Sequence, residues 1–249
     1  MAENQTQRLS LAVLIDAENA SPKIANGLFE EIARIGDANV RRIYGDFSHP
    51  GTSGWREILS KHAISPRQNF PSTKGKNSSD IELVIDAMDL LHSGRVDGFC
   101  LVSSDSDFTG LAKRIREQGQ QVIGFGEQKT PESLRQACHR FIYTENLGAT
   151  AETTGGTDAP SPTPMQSQKA SALLRNVVSQ IESEDGWVHL GQLGNVLRSI
   201  HPDFDERSYG FRKLSDLLKS TGQFDIEQPD GGGWRVRIKP AGKTRRKAK

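Results

Sequence analysis

Residues 9–15 read Leu-Ser-Leu-Ala-Val-Leu-Ile, an almost unbroken apolar run, and the residue that follows is Asp16. A strand with one wet face alternates apolar and polar side chains, so a run without alternation belongs to a strand covered on both faces. Such strands sit in parallel sheets packed between helices. The next 130 or so residues repeat the theme. Ile24, Leu28, Phe29, Ile32 and Ile35 follow at helical spacing behind Ser21-Pro22, a cap and first-turn signal. Val40–Phe47 reads as a strand, Trp55–His62 as a helix and Ile64–Phe70 as a weaker strand. Asp80–Ser93 is a helix, Gly98–Ser103 a strand and Phe108–Gln118 a helix, and Val122–Phe125, Ser133–His139 and Phe141–Tyr143 finish the series. Alternating strand and helix implies an α/β fold, a mainly parallel sheet flanked by helices. Ligands of such sheets bind beyond the carboxyl ends of the strands, at a switch in strand order.

Acids stand at those carboxyl ends. The first strand runs into Asp16-Ala17-Glu18-Asn19, and the strand Phe99–Val102 runs into Ser103-Ser104-Asp105-Ser106-Asp107. Carboxylates delivered to one edge repel each other unless a cation lies among them. The helix Asp80–Ser93 adds another. With Asp80 at zero on a 100° wheel, Glu82, Asp86 and Asp89 fall between about 180° and 240°, a solvated stripe. Ile81, Val84, Ile85, Met88 and Leu91 cover about 20° to 140°, and Leu83, Ala87 and Leu90 about 280° to 340°. Asp80 is therefore aimed into an apolar arc, where an acid is costly unless paired or metal-bound. It also fits a helix-start acid, although Ser79 and Glu82 already form a capping box. Asp107 fits either a ligand or the cap of the helix at Phe108. Asp86 reads as solvated or as a helix-packing hydrogen bonder. Cys100 and Cys138 form no metal or disulfide framework, and the scattered histidines show no ligand spacing.

A donor set of carboxylates without His or Cys suits Mg2+ or Mn2+ rather than zinc, and a cation there would serve phosphodiester hydrolysis. Lys74 and Lys76, before Asp80, are placed to meet phosphate or are ordinary loop lysines. A haloacid-type phosphatase wants Asp where Glu18 stands, an adhesion-type metal site wants D-x-S-x-S, and neither G-x-G-x-x-G nor a Walker loop occurs.

The net charge of +1 argues at first sight against a nucleic-acid partner, but it is unevenly spread. From Gln168 onward the balance is +5, and before it −4. Between them, residues 148–168 are rich in Gly, Pro, Ser and Thr and read as a flexible linker. The boundaries expected are 1–147, the linker 148–168, a second domain 169–239 and a disordered basic tail 240–249. In the second domain, amphipathic helices around Leu173–Ile181, Leu193–Ile200 and Phe211–Leu218 precede Phe224-Asp225-Ile226, a Gly-rich turn and Trp234-Arg235-Val236-Arg237-Ile238. Three helices and a hairpin make a small winged-helix (α+β) plan. Arg235 and Arg237 share one strand face and, with the tail, form an electrostatic footprint for phosphate; Arg212 and Lys213 are further charge-based candidates. No apolar stretch is long enough to span a bilayer, and no leader is visible, so a cytoplasmic location is expected.

Leu14-Ile15-Asp16-Ala17-Glu18-Asn19, Lys76-Asn77-Ser78-Ser79-Asp80 with Leu83–Met88, and Ser103-Ser104-Asp105-Ser106-Asp107-Phe108 together resemble the NYN domain, the LabA-like branch of the PIN-type ribonucleases. The resemblance covers about residues 9–147. It implies a PIN-like sheet with strand one beside strand four, gathering Asp16, Asp80, Asp105 and Asp107 around Mg2+ or Mn2+ for RNA hydrolysis. Asn19 matches the family's asparagine after the first acid, a site-shaping or substrate-contacting residue, and Ser104 stands where the family usually has Gly. Phe204–Leu214 is similar to the LOTUS (OST-HTH) domain over about residues 168–239. That resemblance implies RNA binding or, in some members, a protein partner. The reading is a metal-dependent ribonuclease with an RNA-binding module, and its rival is a non-catalytic RNA-binding adaptor.

Overall fold

The structure, a computed structural model, describes residues 8–48, 50–68, 78–147, 164–181, 183, 185–229 and 232–239. Lys74, Lys76, the basic tail and residues 148–163 of the expected linker lie outside the described residues. The chain divides into two compact units between Thr154 and Gly155.

The first unit runs β1 (Leu9–Asp16), α1 (Ala25–Ile35), β2 (Gly36–Gly45), α2 (Trp55–Lys61), β3 (Ser65–Gln68), α3 (Ser78–Ser93), β4 (Gly98–Val102), α4 (Thr109–Glu117), β5 (Gln121–Gly126), α5 (Glu132–Ala137) and β6 (Arg140–Tyr143). Its six strands form one sheet in the order β3-β2-β1-β4-β5-β6, and every neighbouring pair is parallel. Leu11 to Ile15 are all fully buried, as the apolar run requires. Strand side chains alternate between faces. Ala12 and Leu14 accordingly join one core with Leu83 and Ala87 of α3, Ile115 of α4 and Leu134 of α5. Leu11, Val13 and Ile15 join the other with Leu28 and Ile32 of α1 and Trp55 of α2. The sheet is PIN-like and wholly parallel, with β1 central and β4 at its side.

Two elements differ from expectation. β2 begins at Gly36, four residues before Val40, directly where α1 ends. A Cβ on Gly36 would stand 2.4 Å from the Leu9 carbonyl oxygen, so only glycine lets helix and strand meet that closely. Its polar neighbours Asp37 and Asn39 are exposed or partly exposed, which hides the strand from a periodicity reading. The second concerns α3. Leu83, Ala87, Leu90 and Leu91 are buried, but Ile81 and Ile85 are 61% and 57% exposed. The buried face is turned toward Asp86, whose Oδ1 accepts from Arg42 Nη1 at 2.5 Å and whose Oδ2 accepts from the Tyr44 hydroxyl at 2.6 Å. Asp86 is thus a packing group, tying the helix to β2 through two charge-assisted bonds. Burial and the Asp86 carboxylate push the Tyr44 hydroxyl pKa up, so the phenol remains a donor.

The second unit comprises α6 (Pro164–Gln180), β7 (Val188–His189), α7 (Leu190–Ile200), α8 (Leu214–Thr221), β8 (Phe224–Glu227) and β9 (Arg235–Ile238). The first helix starts at Pro164, so residues 164–168 of the segment read as linker are helical. The strands form an antiparallel sheet in the order β7-β9-β8. Leu174, Val177, Leu193, Leu197, Leu217, Phe224 and Val236 close a separate core. Three helices against a small antiparallel sheet is the winged-helix plan.

Replacing Asp86 with Ala leaves Arg42 and Tyr44 short of their shared acceptor. Asp86→Ala is expected to lower stability by about 2 kcal/mol, while Ile85→Ser stays within about 0.5 kcal/mol of the parent. Urea unfolding of both variants decides it, and a large cost for Ile85→Ser would show that the helix face is placed wrongly.

Candidate active site

The strand order reverses direction between β1 and β4, and the carboxyl ends of both strands meet there. Ile15 lies opposite Val102, so the next residues, Asp16 and Ser103, face each other. Both are buried. The Ser103 hydroxyl donates to Asp16 Oδ2 at 2.7 Å and accepts from the Asp105 backbone N–H at 3.0 Å. Asp16 is also gripped by its own loop. Its Oδ1 accepts from the backbone N–H of Glu18 at 3.1 Å and of Asn19 at 3.2 Å, and its Oδ2 accepts from Asn19 Nδ2 at 2.9 Å. A carboxylate has about four acceptor sites, and these four bonds use them. Asn19 therefore holds Asp16 in place.

Asp105 accepts from the Asp107 N–H at 2.9 Å and caps the short 3-10 turn Ser106–Phe108 that leads into α4. The cap at this end is thus Asp105, and Asp107 lies exposed in the first turn. Position 104, serine here, is used structurally: Ser104 Oγ accepts from the Glu127 N–H at 2.9 Å. Asp80 sits in the first turn of α3, partly buried. The capping box expected of Ser79 is not formed that way, because α3 already includes Ser78 and Ser79. Instead the Ser79 hydroxyl, at 3.4 Å from Glu18 Oε1, points to the loop after β1.

Asp80 shows how these groups are related. Its carboxyl is pushed from an ordinary 3.8 up to about 6, first by burial, then by the negative charges of Asp16, Asp105, Glu18 and Asp107. All four acids singled out in the sequence share one electrostatic neighbourhood, with Glu18 as a fifth. Among the described residues, no three of them stand in an arrangement that would already ligate an ion. Two members escape a sequence reading. Glu18 looks only like a failed third position of a D-x-D motif, and Ser103 gains meaning only once β1 and β4 are known to be neighbours.

The second unit shows what surrounds the basic candidates. Arg235 and Arg237 do share a face of β9, but β8 sets an acid opposite each, Glu227 across from Arg235 and Asp225 across from Arg237. The Glu227 and Asp225 carboxylates accept from their guanidinium groups at 2.7 and 3.1 Å, and Asp185 lies 3.6 Å from Arg235. Both guanidinium groups also stack over Trp187, at 4.8 and 4.5 Å from the ring centroid. The face is closer to neutral than basic. Arg212 and Lys213, just before α8, are exposed.

Comparison with known proteins agrees with this division. The NYN domain matches residues 10–146 and the OST-HTH/LOTUS domain matches residues 163–236. The uncharacterized protein MJ0482 of Methanocaldococcus jannaschii is 25% identical over 124 residues, which cover 47% of this chain and 48% of that protein. The chain thus spans about half the length of that curated relative. A protein of unknown function from Vibrio parahaemolyticus, VPA0982, is 19% identical with a TM-score of 0.48, covering 57% of this chain and 96% of that one. An uncharacterized protein from locus NE0665 of Nitrosomonas europaea is 29% identical with a TM-score of 0.28, covering 37% and 91%.

An acid whose folded pKa is raised loses stability as pH climbs from its unfolded value through its folded one. For Asp80 that window is about pH 4 to 6. Asp80→Asn is therefore expected to melt at a higher temperature than the parent at pH 7.5 in EDTA, with the gap closing by pH 4. Melting curves at the two pH values check it, and equal shifts at both would place Asp80 outside the acidic neighbourhood.

Proposed function

Because the chain belongs to the NYN domain family, part of the PIN-like nuclease superfamily, we propose that its first unit is a divalent-metal-dependent ribonuclease and its second unit captures RNA. The observation that carries this is the convergence of Asp16, Asp105, Asp107 and Glu18 on Asp80 at the switch point of a parallel sheet. A fold does not gather like charges there for stability, since each raises the cost of ionising the next.

The donor set fits the cation expected. It is made wholly of carboxylate oxygens, the hard ligands that suit Mg2+ or Mn2+. Asp16, Asp80 and Asp105 are the proposed ligands, with Asp107 completing the site or holding a water. When bound, the cation supplies positive charge to the scissile phosphate and to the attacking water. The chain does the positioning. Ser103 and Asn19 fix the orientation of Asp16. The Ser103 hydroxyl also joins Asp16 to the backbone of Asp105, so two ligands from different strands move as one body. Asp107 is exposed in its turn. Joining a capture unit covalently to a cutting unit raises the local concentration of substrate without any new contact.

One observation favours a second reading. Asp16 is saturated with internal hydrogen bonds, which also suits a non-catalytic RNA-binding adaptor that keeps the acid for folding. Labelled RNA offered with Mg2+ or Mn2+ separates the two. The parent is expected to cleave, Asp105→Asn to lose at least about 100-fold, and Ser103→Ala or Asn19→Ala to lose about 10–100-fold, as groups that orient ligands do. A parent inactive with both metals on single- and double-stranded RNA would establish the adaptor, and turnover of DNA or a phosphomonoester instead would change the substrate class.

A further inference from the structure

The second unit presents a groove of about 410 Å3 whose walls include Trp234, His189, Leu214 and Arg198 and which is also lined by Gly191 and Gly194 of α7. That volume lies within the usual range for small-ligand sites, roughly 300–1,000 Å3. Among the described residues, no acidic side chain lines it.

Three features give the groove a direction. Trp234 is 41% exposed, in a unit whose other large apolar groups are mostly gathered into a core. Its backbone is nonetheless fixed, since its carbonyl accepts from the Leu190 N–H at 2.8 Å. An ordered, open indole is a stacking platform rather than a loose loop residue. Second, two cations stand near the ring: Arg198 in the groove wall, and Lys219, which lines the neighbouring groove together with Asp225 and Glu227. Lys219 Nζ lies 5.3 Å from the Trp234 ring centroid. Arg198 hydrogen-bonds Asn195 at 3.2 Å, and neither cation makes an ion pair among the described residues. The arginines over Trp187, by contrast, are matched by Asp185, Asp225 and Glu227. Third, the lining at Gly191 is open. A Cβ built on Gly191 meets nothing within 4 Å, while one on Gly194 would stand 3.2 Å from Arg198 Nη2, so the guanidinium lies close over that bare turn.

We propose that this groove is the RNA-capture site of the second unit and that it takes unpaired strands, stacking a base on Trp234 while Arg198 and Lys219 meet the flanking phosphates. The proposal rests on the RNA-capture reading above and adds the surface and the strandedness. A duplex keeps its base faces inside its own stack, and only an unpaired base can offer one to an indole. Charge complementarity selects a polyanion over an apolar peptide, and the exposed ring selects a single strand over a duplex.

The test uses the full chain in EDTA, so that cleavage does not interfere, with a fluorescein-labelled single-stranded oligouridine RNA of about 12 nucleotides. Trp234→Ala is expected to weaken binding about ten-fold or more. Trp234→Phe should keep most of the affinity but lose the tryptophan quenching that accompanies binding, a readout that misfolding does not mimic. Arg198→Ala should lower the slope of log affinity against log salt by about one, and Arg237→Ala should leave affinity within two-fold of the parent, as ~0.4 kcal/mol or less. The duplex of the same length should bind more weakly than the single strand. Parent binding that survives Trp234→Ala, or that prefers the duplex, would overturn the groove and leave RNA capture standing elsewhere on the unit, with the groove then open to a protein segment. A parent that binds neither RNA overturns the capture reading and the groove together.

Discussion

A parallel sheet has all its carboxyl ends on one edge, and this constraint governs what the first unit is able to do. With β1 in the middle and β4 beside it, Asp16 and Ser103 are placed opposite one another by register alone. The buried hydrogen bond between them, 2.7 Å long, then connects residues 87 positions apart in the chain. Everything else at the edge is arranged around that bond. The loop Ala17–Asn19 folds back on Asp16, the turn after Ser103 is capped by Asp105, and the start of α3 is drawn to Glu18 through Ser79. The acids are therefore carried by rigid backbone, and their mutual repulsion is borne by the sheet.

How much of this was legible depends on how local the signal is. The apolar run of β1 and the acid after it declare a doubly covered strand with a loaded end, and the structure has both. Asp80 was legible as an acid at a helix start, and the structure leaves it partly buried there. Glu18 and Ser103 were not, because their roles arise from pairing between distant strands. The wheel drawn for α3 counts Ile81 and Ile85 as core, yet they face outward. Hydrophobic periodicity has no knowledge of Arg42 and Tyr44, which draw Asp86 in from 44 and 42 residues away. A polar anchor of this kind outweighs two isoleucines, because a buried guanidinium and phenol without an acceptor cost more than exposed methyls.

The same lesson holds for charge in the second unit. On β9 alone, Arg235 and Arg237 look like a basic face. The antiparallel ladder sets Glu227 and Asp225 against them, and cross-strand pairs of opposite charge are the ordinary way for such a ladder to settle. Counting charges along the chain does not see these pairings, because the acids that meet Arg235 and Arg237 come from the neighbouring strand.

Placing β1 in the centre has a consequence in time. Its partner β2 follows within about twenty residues, but β4 is not complete until Val102. While the chain is being made, this strongly apolar strand waits with one hydrogen-bonding edge open, a template for any other strand that meets it. Long-range parallel pairing is intrinsically slow, since loop closure must precede the contacts that reward it. The step that closes this edge is the docking of β4, and it also brings Ser103 to Asp16. Formation of the acidic edge and escape from mispairing are thus one event, and a chain stalled before it lacks that edge and stays sticky.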